Sequence, residues 1–193
     1  MQRRRFLTTT ALVLPITLAG CLGDSEPAGN GNENGGDTSP NENGTGFEYE
    51  IKQLGFLMTA YRPFESDSVG HIEVFESAEE AHETLPSEGL TDADEQSNEE
   101  FIEDTDFDTE LLLYIATKSP KINFAEIEVR ELDRDDDTIT GTAASVGAEE
   151  GDDAPSYPLA LIRMFVGDDR PSSVEMTVID GSENEGTLEV DIS

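Results

Sequence analysis

The feature that most constrains this chain is a boundary near its start. Three consecutive arginines, Arg3-Arg4-Arg5, lead into an uncharged, mostly apolar stretch over residues 6–20, which stops at Cys21. About fifteen residues is too short for a membrane-spanning helix, which needs roughly 20. A positive start, a short apolar run and a small-residue exit read as a signal peptide over 1–20, to be excluded from the fold. Whatever folds must therefore be built from the chain beyond it.

Two details sharpen that reading. Arg3, Arg4, Phe6 and Leu7 match the twin-arginine pattern, two arginines, any residue, then Phe-Leu, an export address read by a receptor. Leu18-Ala19-Gly20-Cys21 matches a lipobox, in which small residues let a peptidase reach the backbone before the modified cysteine. A thiolate can take a lipid as a stable thioether, so Cys21 is the expected attachment point, and a lipid with two chains holds a membrane stably where one does not. Cys21 is the sole cysteine. None remains for a disulfide, a copper thiolate site, haem attachment, an iron–sulfur cluster or a cysteine nucleophile.

Residues 22–46 carry seven Gly, five Asn and five acids, with only Leu22 and Ala28 apolar. Such a stretch cannot bury enough surface to offset its ordering entropy, so 21–46 is expected to be a lipidated, disordered tether. Asn43-Gly44-Thr45 within it is a candidate N-glycosylation site at Asn43.

Beyond the tether lies an acid excess. The whole chain has 44 Asp and Glu against 11 Lys and Arg, a net charge of −33, and no Trp. Only three lysines occur: Lys52, Lys118 and Lys121. Self-repulsion of this size opposes a compact state in dilute buffer. At about 1 M salt the Debye length falls to about 3 Å and screens most of it. The chain resembles twin-arginine exported lipoproteins of salt-loving archaea, which implies attachment to the outer face of the cell membrane. An acidic cation binder is the alternative account of the charge. Nothing here neutralises a phosphate backbone, so no nucleic acid is expected as partner. The expected partners are the membrane, through the lipid on Cys21, and a protein of unknown identity.

From residue 47 the pattern changes to alternation. Phe47, Tyr49 and Ile51 alternate with Glu48, Glu50 and Lys52, the period of a half-buried strand. Further strands are expected over 54–61, 71–75, 110–117, 122–132, 138–146, 159–166, 174–179 and 187–192. Ser77-Ala78-Glu79-Glu80 is a capping box that starts a short helix ending near Leu85. Residues 87–100 read as an acidic loop, with at most a helical turn near Phe101. Asp133-Arg134-Asp135-Asp136-Asp137 reads as a hairpin. The expected fold is therefore mainly β (α+β): one antiparallel β domain over 47–193, of about eight strands, with one or two short helices. At about 147 residues it can bury a normal core.

Candidate chemistry is sparse. His71 and His82 are eleven apart and share no metal-ligand spacing. Counting an EF-hand from Asp133 places Thr138 at position six and Ala144 at twelve, where Gly and Glu are required. No nucleophile elbow, P-loop or dinucleotide fingerprint is present. No catalytic, cofactor or metal residues are therefore assigned, and no cofactor is expected.

Residues 71–179 resemble the protease-complex-subunit (PrcB-like) family of exported domains. The likeness lies in a strand leading to the Ser77-capped helix, Asp106-Phe107-Asp108-Thr109-Glu110 running into Leu111-Leu112-Leu113, and Tyr157-Pro158-Leu159-Ala160-Leu161-Ile162-Arg163. The Gly-Tyr pair which that family places after its central strand is replaced by Asn123-Phe124. The resemblance implies a non-catalytic partner of an exported enzyme. The leading expectation is a membrane-tethered binding or accessory domain; the alternative is a hydrolase using carboxylates, recognisable by two inward-facing acids in a concave pocket.

Overall fold

One strand sets the architecture. β3 (Glu110–Thr117) has the sequence ELLLYIAT, apolar on both faces, and every residue after Glu110 is buried. A strand buried on both sides must be covered on both sides, so the fold needs three layers. In the computed structural model these layers are two helices, a first sheet and a second sheet. The structure describes residues 48–58, 68–85, 92–121, 126–147 and 152–193. All of them belong to one compact unit, Gly35–Ser193.

The first sheet has the order β1 (Tyr49–Leu57), β6 (Tyr157–Phe165), β3, β2 (Gly70–Phe75), all antiparallel. The second has the order β4 (Glu126–Asp135), β5 (Thr138–Val146), β7 (Ser173–Ile179), β8 (Glu185–Asp191). Within it β5 and β7 run parallel, the one exception among the described pairs. Helices α1 (Ala78–Thr84) and α2 (Asp92–Glu103) lie on the outer face of the first sheet.

Alternation along β3 splits its side chains between two cores. Leu111, Leu113 and Ile115 meet Ile127, Leu132, Ile139, Val174 and Met176 between the sheets. Leu112, Tyr114 and Ala116 face the helices, against Phe75, Ala81, Phe101 and Ile102. Each fully buried Leu, Ile or Phe contributes about 1.5–3 kcal/mol, so these two faces carry most of the drive to fold. The second sheet has a core face and an outer face, which β8 displays as strict alternation of exposed and half-buried residues.

The mainly β class and the short helices follow the expectation from sequence. Three details depart from it. The runs at 47–52 and 54–61 form one strand, β1, because a bulge between Gln53 and Gly55 joins them. Gly55 adopts φ +85, a conformation that favours glycine, and the extra residue sends Leu57 after Leu54 to the helix side. Within the stretch expected as an acidic loop, residues 92–100 belong instead to the twelve-residue helix α2. The hairpin strands also extend further, through Asp135, leaving Asp136 at φ 51 to make the turn.

α1 begins as expected: Ser77 accepts a hydrogen bond from the Glu80 N–H at 3.3 Å. Glu80 in turn accepts from the Glu76 N–H at 3.2 Å, one residue earlier than the usual return bond of a capping box. The leader, the tether, Arg3, Arg4, Phe6, Leu7, Cys21 and Asn43 lie outside the described residues, as do Asn123 and Phe124.

Candidate functional site

The histidines are placed apart in role. His71 lies on β2 with Nε2 3.4 Å from Glu73 Oε2, and its ring meets Tyr114 edge-on at 6.3 Å between centroids. Spacing of two residues along a strand puts His71 and Glu73 on one face, which accounts for the pair. His82 is exposed on α1. Among the described residues, no three His, Cys, Asp or Glu side chains converge as metal ligands. The acid run at 133–137 is organised by Arg134, whose Nε donates to Asp136 O at 3.2 Å and whose Nη1 donates to Val166 O at 3.1 Å.

Cations are few, and most of the described ones are committed to holding elements together. Lys52 on β1 donates to Ser97 Oγ on α2 at 2.5 Å. Arg170 joins Glu76 Oε2 at 3.2 Å and also donates to Phe107 O. Lys118 donates to Ser68 O at 3.2 Å. Arg163, a cation inside the otherwise apolar β6, forms an ion pair with Glu50 directly opposite on β1, and its guanidinium carbon sits 4.5 Å above the Phe101 ring. A buried-strand cation demands such partners.

Beside that triad lies a shallow cleft of about 250 Å³. It is lined by Glu48, Tyr49, Glu50, Glu110, Arg163 and Phe165. Register explains how these residues meet. Phe165 ends the central strand β6; its N–H donates to Glu48 O at 3.1 Å on one side, and it pairs with Glu110 of β3 on the other. Neighbouring strands lie about 4.8 Å apart, so a carboxylate stands on each flank of the ring. Phe165 is 50% exposed, and only Met58 matches it among the described large apolar side chains.

Bonds within the fold already hold part of the cleft's acid lining. Glu50 is held by Arg163, and Glu110 accepts the Asp106 N–H at 2.8 Å, so two of its three carboxylates already serve the fold. What the cleft leaves open to solvent is an aromatic face between acids. Nothing in the sequence marks Glu48, Glu110 or Phe165 as site residues, because exposure at a strand end carries no local signal. The legible clue was Arg163, a charge within an apolar run.

Two further polar positions do structural work across the fold. Gln53 on β1 donates from Nε2 to Ile127 O at 2.7 Å and accepts from the Ile127 N–H at 3.0 Å, so one side chain caps the free edge of β4. Asp180, 2% exposed, anchors the β7–β8 turn. Its Oδ1 accepts from the N–H groups of Ser182 at 2.8 Å and Asn184 at 3.0 Å, its Oδ2 accepts from Asn184 Nδ2 at 3.0 Å, and Lys118 Nζ stands 4.0 Å away.

No protein-family model, no curated protein and no solved structure matches the chain.

Proposed function

We propose that this chain is an exported, lipid-tethered binding or accessory domain, non-catalytic and suited to concentrated salt. The observation that carries the binding reading is the Phe165 cleft: an exposed aromatic ring among carboxylates, two of which are committed to structural bonds. A ring held open to water, where the other described phenylalanines are buried or half-buried, is suited to contact with another molecule. The tether at 21–46 gives that surface reach from a lipid on Cys21, and the likeness to protease-complex subunits makes an exported enzyme the fitting partner.

The outer face of the second sheet supports the salt reading. Glu175 and Glu189 stand directly opposite on β7 and β8, both exposed, and the neighbouring strands continue the row through Thr140 to Asp133. Like charges in register are destabilising unless screened.

Fractionation of cells carrying Cys21→Ser tests the anchor. Release of the protein, or retention of the uncleaved leader, is expected; a processed mutant still on the membrane refutes lipid tethering. Pull-down from membranes solubilised in high salt tests the accessory role. A stoichiometric exported enzyme is expected to co-purify, and hydrolase activity intrinsic to the isolated chain would refute it.

A further inference from the structure

The fold builds one guanidinium site within itself, and a second ring stands between carboxylates beside it. In the first, Arg163 lies over the Phe101 ring and pairs with Glu50, so ring, guanidinium and carboxylate form a stacked triad. In the second, Phe165 offers a ring with Glu48 on the β1 side and Glu110 on the β3 side, in a cleft of about 250 Å³. Ring and carboxylates are the same chemistry as the first triad.

We propose that the Phe165 cleft receives an arginine side chain of a partner protein, stacked on the Phe165 ring and paired with Glu48 or Glu110. This rests on the binding reading above and names the chemistry of the partner.

Charge complementarity favours a cation: three carboxylates line the cleft against one guanidinium, which Glu50 already neutralises. The aromatic ring favours arginine over lysine. A guanidinium is planar, weakly hydrated and able to stack while its fork meets a carboxylate, whereas an ammonium is a compact, strongly hydrated charge. Concentrated salt sharpens that preference. With a Debye length of about 3 Å at about 1 M, long-range attraction between surfaces is screened, and only groups in contact retain their pairing. Potassium or sodium ions compete for a bare carboxylate but gain little from the adjoining apolar face. A site that combines ring and acid is therefore one that can still select an organic cation in brine.

The test uses the full lipidated chain in detergent micelles at about 2 M potassium chloride, with N-acetyl-arginine amide as probe and N-acetyl-citrulline amide as its uncharged isostere. Ring-labelled phenylalanine resonances report on Phe165, and saturation transfer to the probe reports affinity. A saturable shift of the Phe165 ring with the arginine probe is expected, about tenfold weaker with citrulline. Phe165→Leu and Glu110→Gln are each expected to weaken the arginine probe severalfold; the glutamine retains an acceptor for the Asp106 N–H. Equal response to citrulline, or undiminished affinity in Phe165→Leu, overturns the proposal, and the citrulline comparison decides even if a variant fails to fold. A Phe165-dependent dimer in sedimentation would overturn the assignment to a foreign partner. If the membrane pull-down succeeds equally with Phe165→Leu, the cleft is refuted while the accessory reading stands.

Discussion

Removing the Asp180 carboxylate is expected to cost about 3–5 kcal/mol, because it leaves several hydrogen-bond donors at once without their charged acceptor. The magnitude comes from what the side chain holds. It accepts from two backbone N–H groups and one amide N–H at 2.8–3.0 Å, each a bond to a charged group worth about 1.5–3 kcal/mol net. The full sum is not reached, because the freed turn relaxes and water reaches part of it. Lys118 adds little, since its ammonium is 4.0 Å away with a side chain 38% exposed. In a domain of this size, Asp180→Ala should lower Tm by about 10–15 °C. Asp180→Asn separates charge from shape. One oxygen can still accept from Ser182 and Asn184, but its amide N–H₂ then faces the Asn184 amide donor, so an intermediate loss of about 2 kcal/mol is expected. Urea denaturation followed by circular dichroism suits the measurement, because urea leaves ionic strength fixed. A loss below about 1 kcal/mol for the alanine variant would show that the turn does not depend on its buried carboxylate.

Gln53→Ala leaves Ile127 without its side-chain partners on the β4 edge and should cost about 1–3 kcal/mol by the same urea assay; an unchanged midpoint would show that solvent replaces both bonds. Glu189→Lys turns the Glu175 pairing from repulsive to attractive and should stabilise the fold by up to about 1 kcal/mol near 0.1 M salt. That gain should vanish toward molar salt as screening removes it; a gain independent of salt would point to packing instead. Arg3→Lys with Arg4→Lys should block export by the proposed twin-arginine route, because its receptor reads guanidinium forks rather than charge. Normal export of the double mutant in a fractionation assay would indicate general secretion.

Local pattern carried much of the fold and little of the cleft. The run Leu111–Leu113 and the alternation around Tyr49 each named a strand because burial on two faces or one writes itself into hydropathy. α2 hid because its buried positions are Asn98, Phe101 and Ile102, at helical spacing but with a polar residue in the first, amid acids. Merging two runs into β1 required knowing that Gly55 would take φ +85, which depends on the strand beside it. The parallel pairing of β5 with β7 and the reach of Gln53 to Ile127 join residues far apart in sequence, and no window of hydropathy contains both ends. The Phe165 cleft is of that second kind: three strands supply it, and each alone reads as ordinary.

The position of β6 between β1 and β3 governs when this chain can fold. Among the described strands β1 pairs only with β6, so from the moment Leu57 is synthesised until Tyr157–Phe165 emerges, that pairing cannot form. β5 pairs at once with β4, but its second edge waits for β7 across the intervening β6. Pairings of such sequence separation carry a high loop-closure cost and make folding slow. Until β6 emerges, β3 pairs with β2 alone, and its other edge stays open, the kind of surface on which nascent chains associate. Completion of the first sheet therefore falls after the ribosome has nearly finished. A chain of this topology suits the proposed twin-arginine route, which waits for the finished fold, better than one that races translation.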